Sequence, residues 1–152
     1  MAGTAEESKK ETFNKVIQWL KDAGLPIVEV EPSDTKLYAK VFPRKEEPMF
    51  FYIAFGDKSN DSFSIGTDID LSGEYERSIK ALQERAQDQV FMDIRKLVYP
   101  LGINLDTRFP RISLHKLIFF DSLRDKQYFF DSVTNLLNAI QLVVIRFDEL
   151  RI

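Results

Sequence analysis

Residues 112–150 constrain the fold more than any other stretch of the chain, because a strand there runs into a long helix. Ile112-Ser113-Leu114-His115-Lys116-Leu117-Ile118-Phe119-Phe120 alternates at first and ends on four consecutive apolar side chains. That pattern predicts a strand half covered at its start and sealed on both faces at its end. After residues 121–124 the period changes: Phe129, Val133, Leu136, Leu137, Ile140, Val143, Val144 and Phe147 follow the three- and four-residue steps of one helix face. No other stretch is apolar for as long, so a sheet is expected beneath this helix. Phe51, Ile53, Leu117, Phe119, Leu137 and Ile140 are the expected core.

Upstream, the chain divides by its turn residues. Thr4 and Glu7 have the spacing of a capping box, and Phe13, Val16, Ile17 and Leu20 form an apolar stripe. Glu6–Lys10 and Glu11–Lys15 are available as supporting pairs. Gly24 supplies a left-handed cap and Pro26 forbids continuation, which bounds a helix at residues 5–23. Four strands follow, at residues 27–31, 36–42, 49–55 and 62–69. Pro32-Ser33-Asp34, the charged run 44–47 and the polar run 56–61 are their turns. The second strand sets Leu37, Ala39 and Val41 against Tyr38, Lys40 and Phe42. The third, Met49 to Phe55, is apolar on both faces and therefore central. The fourth points Phe63, Ile65, Thr67 and Ile69 inward.

A second helix is expected from a cap at Asp70 or Ser72 to Pro100 and Gly102, with Tyr75, Ile79, Leu82, Ala86, Val90, Ile94 and Leu97 on its buried face. Ile103, Leu105, Thr107 and Phe109 then alternate as a fifth strand, and Pro110-Arg111 turns into the sixth. The expectation is an α+β protein: one twisted antiparallel sheet flanked by three helices, in the order α-β-β-β-β-α-β-β-α. Without a repeat or a low-complexity linker, residues 1–152 read as one domain.

The totals exclude several functions. With 44% hydrophobic and 30% charged residues, the chain is rich enough in apolar groups to fold rather than stay disordered. Twenty-one basic against 24 acidic residues give a net charge of −3, so no basic field favours nucleic acid. The absence of cysteine removes disulfides, thiolate metal sites and cysteine nucleophiles. The first ten residues lack the apolar core of a secretory signal. The longest uncharged run, residues 132–145, is shorter than the ~20 apolar residues a bilayer requires, and Asn135, Asn138 and Gln141 interrupt it. A cytoplasmic protein without a membrane span is expected.

The order and lengths of these elements resemble the type III secretion chaperone-like fold, and more closely an uncharacterised archaeal family built on it. Three features carry the resemblance. They are the opening helix ending in Ala23-Gly24 before an apolar strand, the aromatic strand Met49 to Phe55, and Leu117-Ile118-Phe119-Phe120-Asp121-Ser122-Leu123 leading into an amphipathic helix. Secretion chaperones bind extended client segments and usually dimerise. The resemblance therefore implies a homodimer that binds a protein or peptide client, and it implies no functional residues.

Two clusters and a lone histidine invite chemistry. Asp68, Asp70 and Ser72, with Gly73, match positions one, three, five and six of an EF-hand calcium loop, and Glu74 and Glu76 follow. The twelfth position, which should be a bidentate glutamate, is Ile79, and a strand precedes the loop. The simpler reading is that Asp68, Asp70, Glu74 and Glu76 decorate a helix N-terminus, where the dipole favours negative charge. His115, the one histidine, has no recognisable partner for acid–base work and is read as a half-exposed structural residue. Arg108, Arg111 and Lys116 gather at the last hairpin around Phe109, as an anion or nucleic-acid contact or as a solvated turn. Gly66 and Gly73 are isolated glycines in no phosphate loop, and no nucleophile elbow occurs. No catalytic residue, metal ligand or cofactor is assigned.

The remaining signal is surplus apolar surface. The terminal helix adds Phe130, Leu142 and Ile145 to its stripe, and Phe91, Met92 and Val98 fall beside the stripe of the second helix. Such surplus is either deep core or an interface. The expectation is that Phe91, Met92 and Val98 stay wet unless a second copy covers them. Two functions follow: a non-enzymatic protein-binding or chaperone-like homodimer, or an enzyme or small-ligand-binding domain with a site in the sheet–helix cleft. A shallow apolar groove or exposed strand edge favours the first; a deep polar pocket with His115 or convergent carboxylates favours the second.

Overall fold

The computed structural model of the chain describes residues 2–30, 37–43, 49–56, 61–71 and 73–150. Its elements are α1 (Ala2–Asp22), β1 (Ile27–Val30), β2 (Leu37–Val41), β3 (Phe51–Phe55), β4 (Ser62–Asp70), α2 (Glu74–Lys80), α3 (Glu84–Val98), β5 (Asn104–Arg108), β6 (Arg111–Phe119) and α4 (Lys126–Glu149). Short 3-10 turns occupy Tyr99–Leu101 and Phe120–Arg124. The strands form one antiparallel sheet in the order β1-β2-β3-β4-β6-β5, with β1 and β5 at its edges. The α+β class and all six strands match expectation; the helix count does not. The turn at 32–34, the run 44–47 and Ser72 lie outside the described residues.

Contacts divide the chain into two compact units, Met1–Gly66 with Leu117–Phe130, and Thr67–Lys116 with Asp131–Ile152. In the first, α1 begins at Ala2, so Thr4 lies inside the helix and is not its cap. Its end is as the sequence requires: Gly24 has φ of 81°, and the amides of Ala23, Gly24 and Leu25 donate to the carbonyls of Trp19, Lys21 and Leu20. Phe13, Val16, Ile17 and Leu20 are buried, as are Ala39 and Val41 of β2 and Phe51, Ile53 and Phe55 of β3. The core is aromatic. Phe55 stacks on Phe63 with centroids 4.5 Å apart, Phe13 meets Phe55 edge-on at 5.5 Å, and Phe120 lies 5.7 Å from Phe55. Each such pair adds about 0.5–1.5 kcal/mol beyond the area it buries. Lys9 is also buried, and its ammonium donates to the Gly56 carbonyl at 2.8 Å, which offsets the desolvation of the charge.

Two residues expected in the core are outside it: Leu117 is 46% and Phe119 49% exposed. Alternation from Ile112 and Leu114 persists to the end of β6, so Ile118 takes the buried phase and its two neighbours the opposite one. Phe120, just past the strand, turns into the aromatic cluster instead. Leu137 is half-buried, while Phe51, Ile53 and Ile140 are buried as expected.

In the second unit, the long helix expected between Ser72 and Pro100 is two helices. Asp70 belongs to β4, and α2 starts after Gly73, whose φ is 85° and which makes no side-chain cap. Residues 81–83 separate the two helices. Gln83 adopts φ −64° and ψ 154°, and the Gln87 side chain donates to the Leu82 carbonyl at 2.8 Å. No glycine or proline marks this break, and the three- and four-residue steps continue across it, so periodicity could not reveal it.

The buried face of α3 is also turned from the expected one. Val90, Ile94 and Val98 are buried, whereas Leu97 is 40% exposed. At about 100° per residue, Phe91 and Leu97 lie about 60° to either side of Ile94. The helix faces inward on the Phe91 side. Phe91 is half-buried, with its ring 5.9 Å from that of Phe109 and 6.4 Å from that of Phe147. Of the three residues expected to stay wet, only Met92 is exposed. The β5–β6 hairpin pairs Asn104 with His115, Leu105 with Leu114, Asp106 with Ser113, Thr107 with Ile112 and Arg108 with Arg111. Its turn contains a cis Phe109–Pro110 peptide, and the Pro110 carbonyl accepts the Leu71 amide at 2.7 Å.

Candidate functional site

Residues directly opposite one another in an antiparallel pair project to the same face. The β5–β6 register therefore sets Arg108 beside Arg111, and Asp106 beside Ser113. With Asp68 of β4, Thr107 of β5 and Arg95 of α3, these side chains line a polar cavity of about 680 Å3. One of its two carboxylates is engaged by a hydroxyl, and the other faces a histidine. Ser113 Oγ donates to Asp68 Oδ1 at 2.5 Å, and His115 Nδ1 lies 3.7 Å from Asp106 Oδ2, an ion pair whenever the imidazole is protonated. The three arginines are not engaged: the guanidinium groups of Arg95, Arg108 and Arg111 have no hydrogen-bond or ion-pair partner among the described residues. Thr107 Oγ1 is buried without a protein partner, the one such side-chain atom among the described residues.

The sequence grouped Arg108, Arg111 and Lys116. The structure brings the first two together and turns the third away. Lys116 lies on the inward phase of β6, where its ammonium donates to the buried Ser132 hydroxyl at 3.0 Å. Phe109 packs against Phe91 rather than lying between cations. Arg95 was not legible as a site residue, because nothing in the spacing of α3 points to the hairpin. Of the calcium-loop candidates, Asp68 accepts from Ser113 and Glu74 opens α2. Among the described residues, no three His, Asp or Glu side chains are grouped as metal ligands. His115 adjoins the cavity through Asp106 and does not line it.

A second concavity, about 480 Å3, lies between α3 and α4. Its floor is apolar: Leu97 of α3 with Leu142 and Ile145 of α4, the last two 37% and 54% exposed. Asp93, Lys96, Arg146 and Glu149 form the rim. Arg146 bridges Glu149 at 3.0 Å and Asp93 at 4.0 Å, while Lys96 has no partner among the described residues. By length and composition α4 could cross a bilayer, yet the face carrying Phe129, Val133, Leu136, Ala139, Ile140, Val143 and Phe147 is buried within the protein. A core helix of a water-soluble protein passes the same test. The opposite face holds the exposed remainder of the apolar surplus.

Residues 12–147 match the family described as "Uncharacterized conserved protein (DUF2299)". The chain belongs to that family. The DUF2299 chain is similar to a protein whose structure is described as "Crystal structure of an uncharacterized protein from Methanothermobacter thermautotrophicus". The similarity covers 92% of this chain and 99% of that one, at 20% identity and a TM-score of 0.79, and shows a shared fold. No curated protein matches the DUF2299 chain.

Proposed function

We propose that the protein is a non-enzymatic protein-binding module of the type III secretion chaperone-like class, acting in the cytoplasm as a homodimer. The observation that carries this reading is the apolar floor of the α3–α4 groove, made by Leu97, Leu142 and Ile145. Exposed apolar side chains grouped within a charged rim are the usual composition of an interface. The rim carries two acids and two bases, and Lys96, whose ammonium has no partner among the described residues, can meet an acid of the rim of a copy related by a two-fold axis. A second copy is therefore the occupant this groove fits. The edge strands β1 and β5 are then available to an extended client segment.

Light scattering at micromolar concentration tests the dimer. The expected mass is about twice 17.7 kDa, falling toward one chain in Ile145→Glu. Ile145 is the better probe than Phe91, because Phe91 packs on Phe109 and Phe147 within one chain. A wild-type monomer, or a dimer unaffected by Ile145→Glu, contradicts the reading.

A second reading, an enzyme or small-ligand-binding domain, has the polar cavity in its support. The two readings separate in cells of the source organism. If the protein's role depends on self-association, Ile145→Glu abolishes it. If the role depends on the cavity, Arg108→Gln does.

A further inference from the structure

We propose that the cavity between α3 and the β5–β6 hairpin binds a small oxyanion of the phosphate or phosphomonoester class. This site is separate from the groove assigned to the second copy, and it stands whether or not the protein dimerises. Three observations converge on it. First, Arg95, Arg108 and Arg111 all line the cavity and none of their guanidinium groups has a partner among the described residues. Guanidinium groups offer fixed forks of donors that match the oxygens of carboxylate and phosphate groups, and three of them exceed what one carboxylate could satisfy.

Second, Arg108 and Arg111 are direct cross-strand partners. Like charges in that position destabilise a sheet, and an anion held between them converts the repulsion into two attractions. Third, the nearby carboxylates do not supply that anion. Asp68 accepts the Ser113 hydroxyl, and Asp106 faces His115. Three arginines against two such aspartates leave a local positive excess in a chain whose net charge is −3. A concentration of cations against the sign of the whole molecule is a local device and not a general basic field.

The dimensions favour a small ligand over a polymer. About 680 Å3 falls in the range of small-molecule sites, ~300–1,000 Å3. A nucleic-acid surface needs an extended basic track, and Lys116, the next cation on β6, is turned to Ser132.

The test is an amide NMR titration of the full chain with inorganic phosphate, with sodium chloride at matched ionic strength as the control. Saturable shifts at Arg95, Arg108, Arg111 and Ser113 are expected with phosphate and not with chloride. Arg108→Gln and Arg111→Gln should each weaken binding by about tenfold or more, the scale of a lost charge-assisted hydrogen bond. Asp106→Asn should tighten it, because it removes one of the two negative charges lining the cavity; this arm remains decisive if an arginine variant folds poorly. Glycerol phosphate distinguishes the sources: tighter binding than inorganic phosphate indicates a phosphorylated small molecule, and weaker binding indicates the free ion. Shifts that do not saturate, or that chloride reproduces, overturn the proposal, as does weaker binding in Asp106→Asn. A single-stranded oligonucleotide that displaces phosphate at lower concentration than glycerol phosphate overturns the small-ligand assignment.

Discussion

Arg108 and Arg111 face each other across the β5–β6 hairpin with no carboxylate bound to either among the described residues. In the absence of an anion this pair works against the fold. Arg111→Gln should therefore raise stability in phosphate-free buffer, by ~0.2–1 kcal/mol, the size of a cross-strand pair term. In saturating phosphate the order should reverse, since a ligand bound only by the folded state stabilises the protein that binds it. Urea melts with and without phosphate check both signs. A variant less stable than wild type in both buffers contradicts the account of this pair.

The aromatic core and the open face of β6 should respond differently to truncation. Phe63 is buried and touches the rings of Phe55, Phe120 and Phe129, so Phe63→Ala should cost ~3–5 kcal/mol. Phe119, half exposed on the other phase of its strand, should cost less than ~1 kcal/mol. Denaturant midpoints at constant slope measure both. Equal losses would mean that the end of β6 is covered on both sides.

How far the sequence could be read depended on which force set each feature. The strands, the Gly24 stop and the buried phase of β2 to β4 were legible, because alternation and turn residues act locally. The break at residues 81–83 was not, since Ile79 and Val90 keep the same helical phase across it. At the end of β6, four consecutive apolar residues suggested burial on both faces, while the older alternation from Ile112 decided which of them turned inward. Leu97 and Phe91 exchanged roles because the rotation of α3 is set by contacts with Phe109 and Phe147, which no local pattern encodes. The same limit hid Arg95. Arg108 and Arg111 could be found because the hairpin turn between them is short.

Tyr75 joins α2 to the end of α4: its hydroxyl donates to Asp148 Oδ1 and its ring lies 5.9 Å from that of Phe147. The hydrogen bond to Asp148 raises the phenol above its ordinary value of 10.0, with burial and the charge of Asp148 acting in the same direction. The bond needs the protonated phenol. Its contribution is present below pH 10 and is lost as pH rises through the folded-state value. NMR titration of the Tyr75 ring should show an ionisation above that of a free tyrosine, moving down in Asp148→Asn. A value in Asp148→Asn no lower than in wild type would contradict this pairing.

Self-association through the α3–α4 groove, as proposed, sets Leu97, Leu142 and Ile145 against a second copy, and that contact can be observed directly. Isotope-filtered NOE spectra on a mixture of labelled and unlabelled chains report only protons that meet across copies. Intermolecular NOEs are expected from the methyl groups of Leu97, Leu142 and Ile145, and are lost in Ile145→Glu. Intermolecular NOEs confined to other surfaces, or none at concentrations where the mass is that of a single 17.7 kDa chain, contradict it.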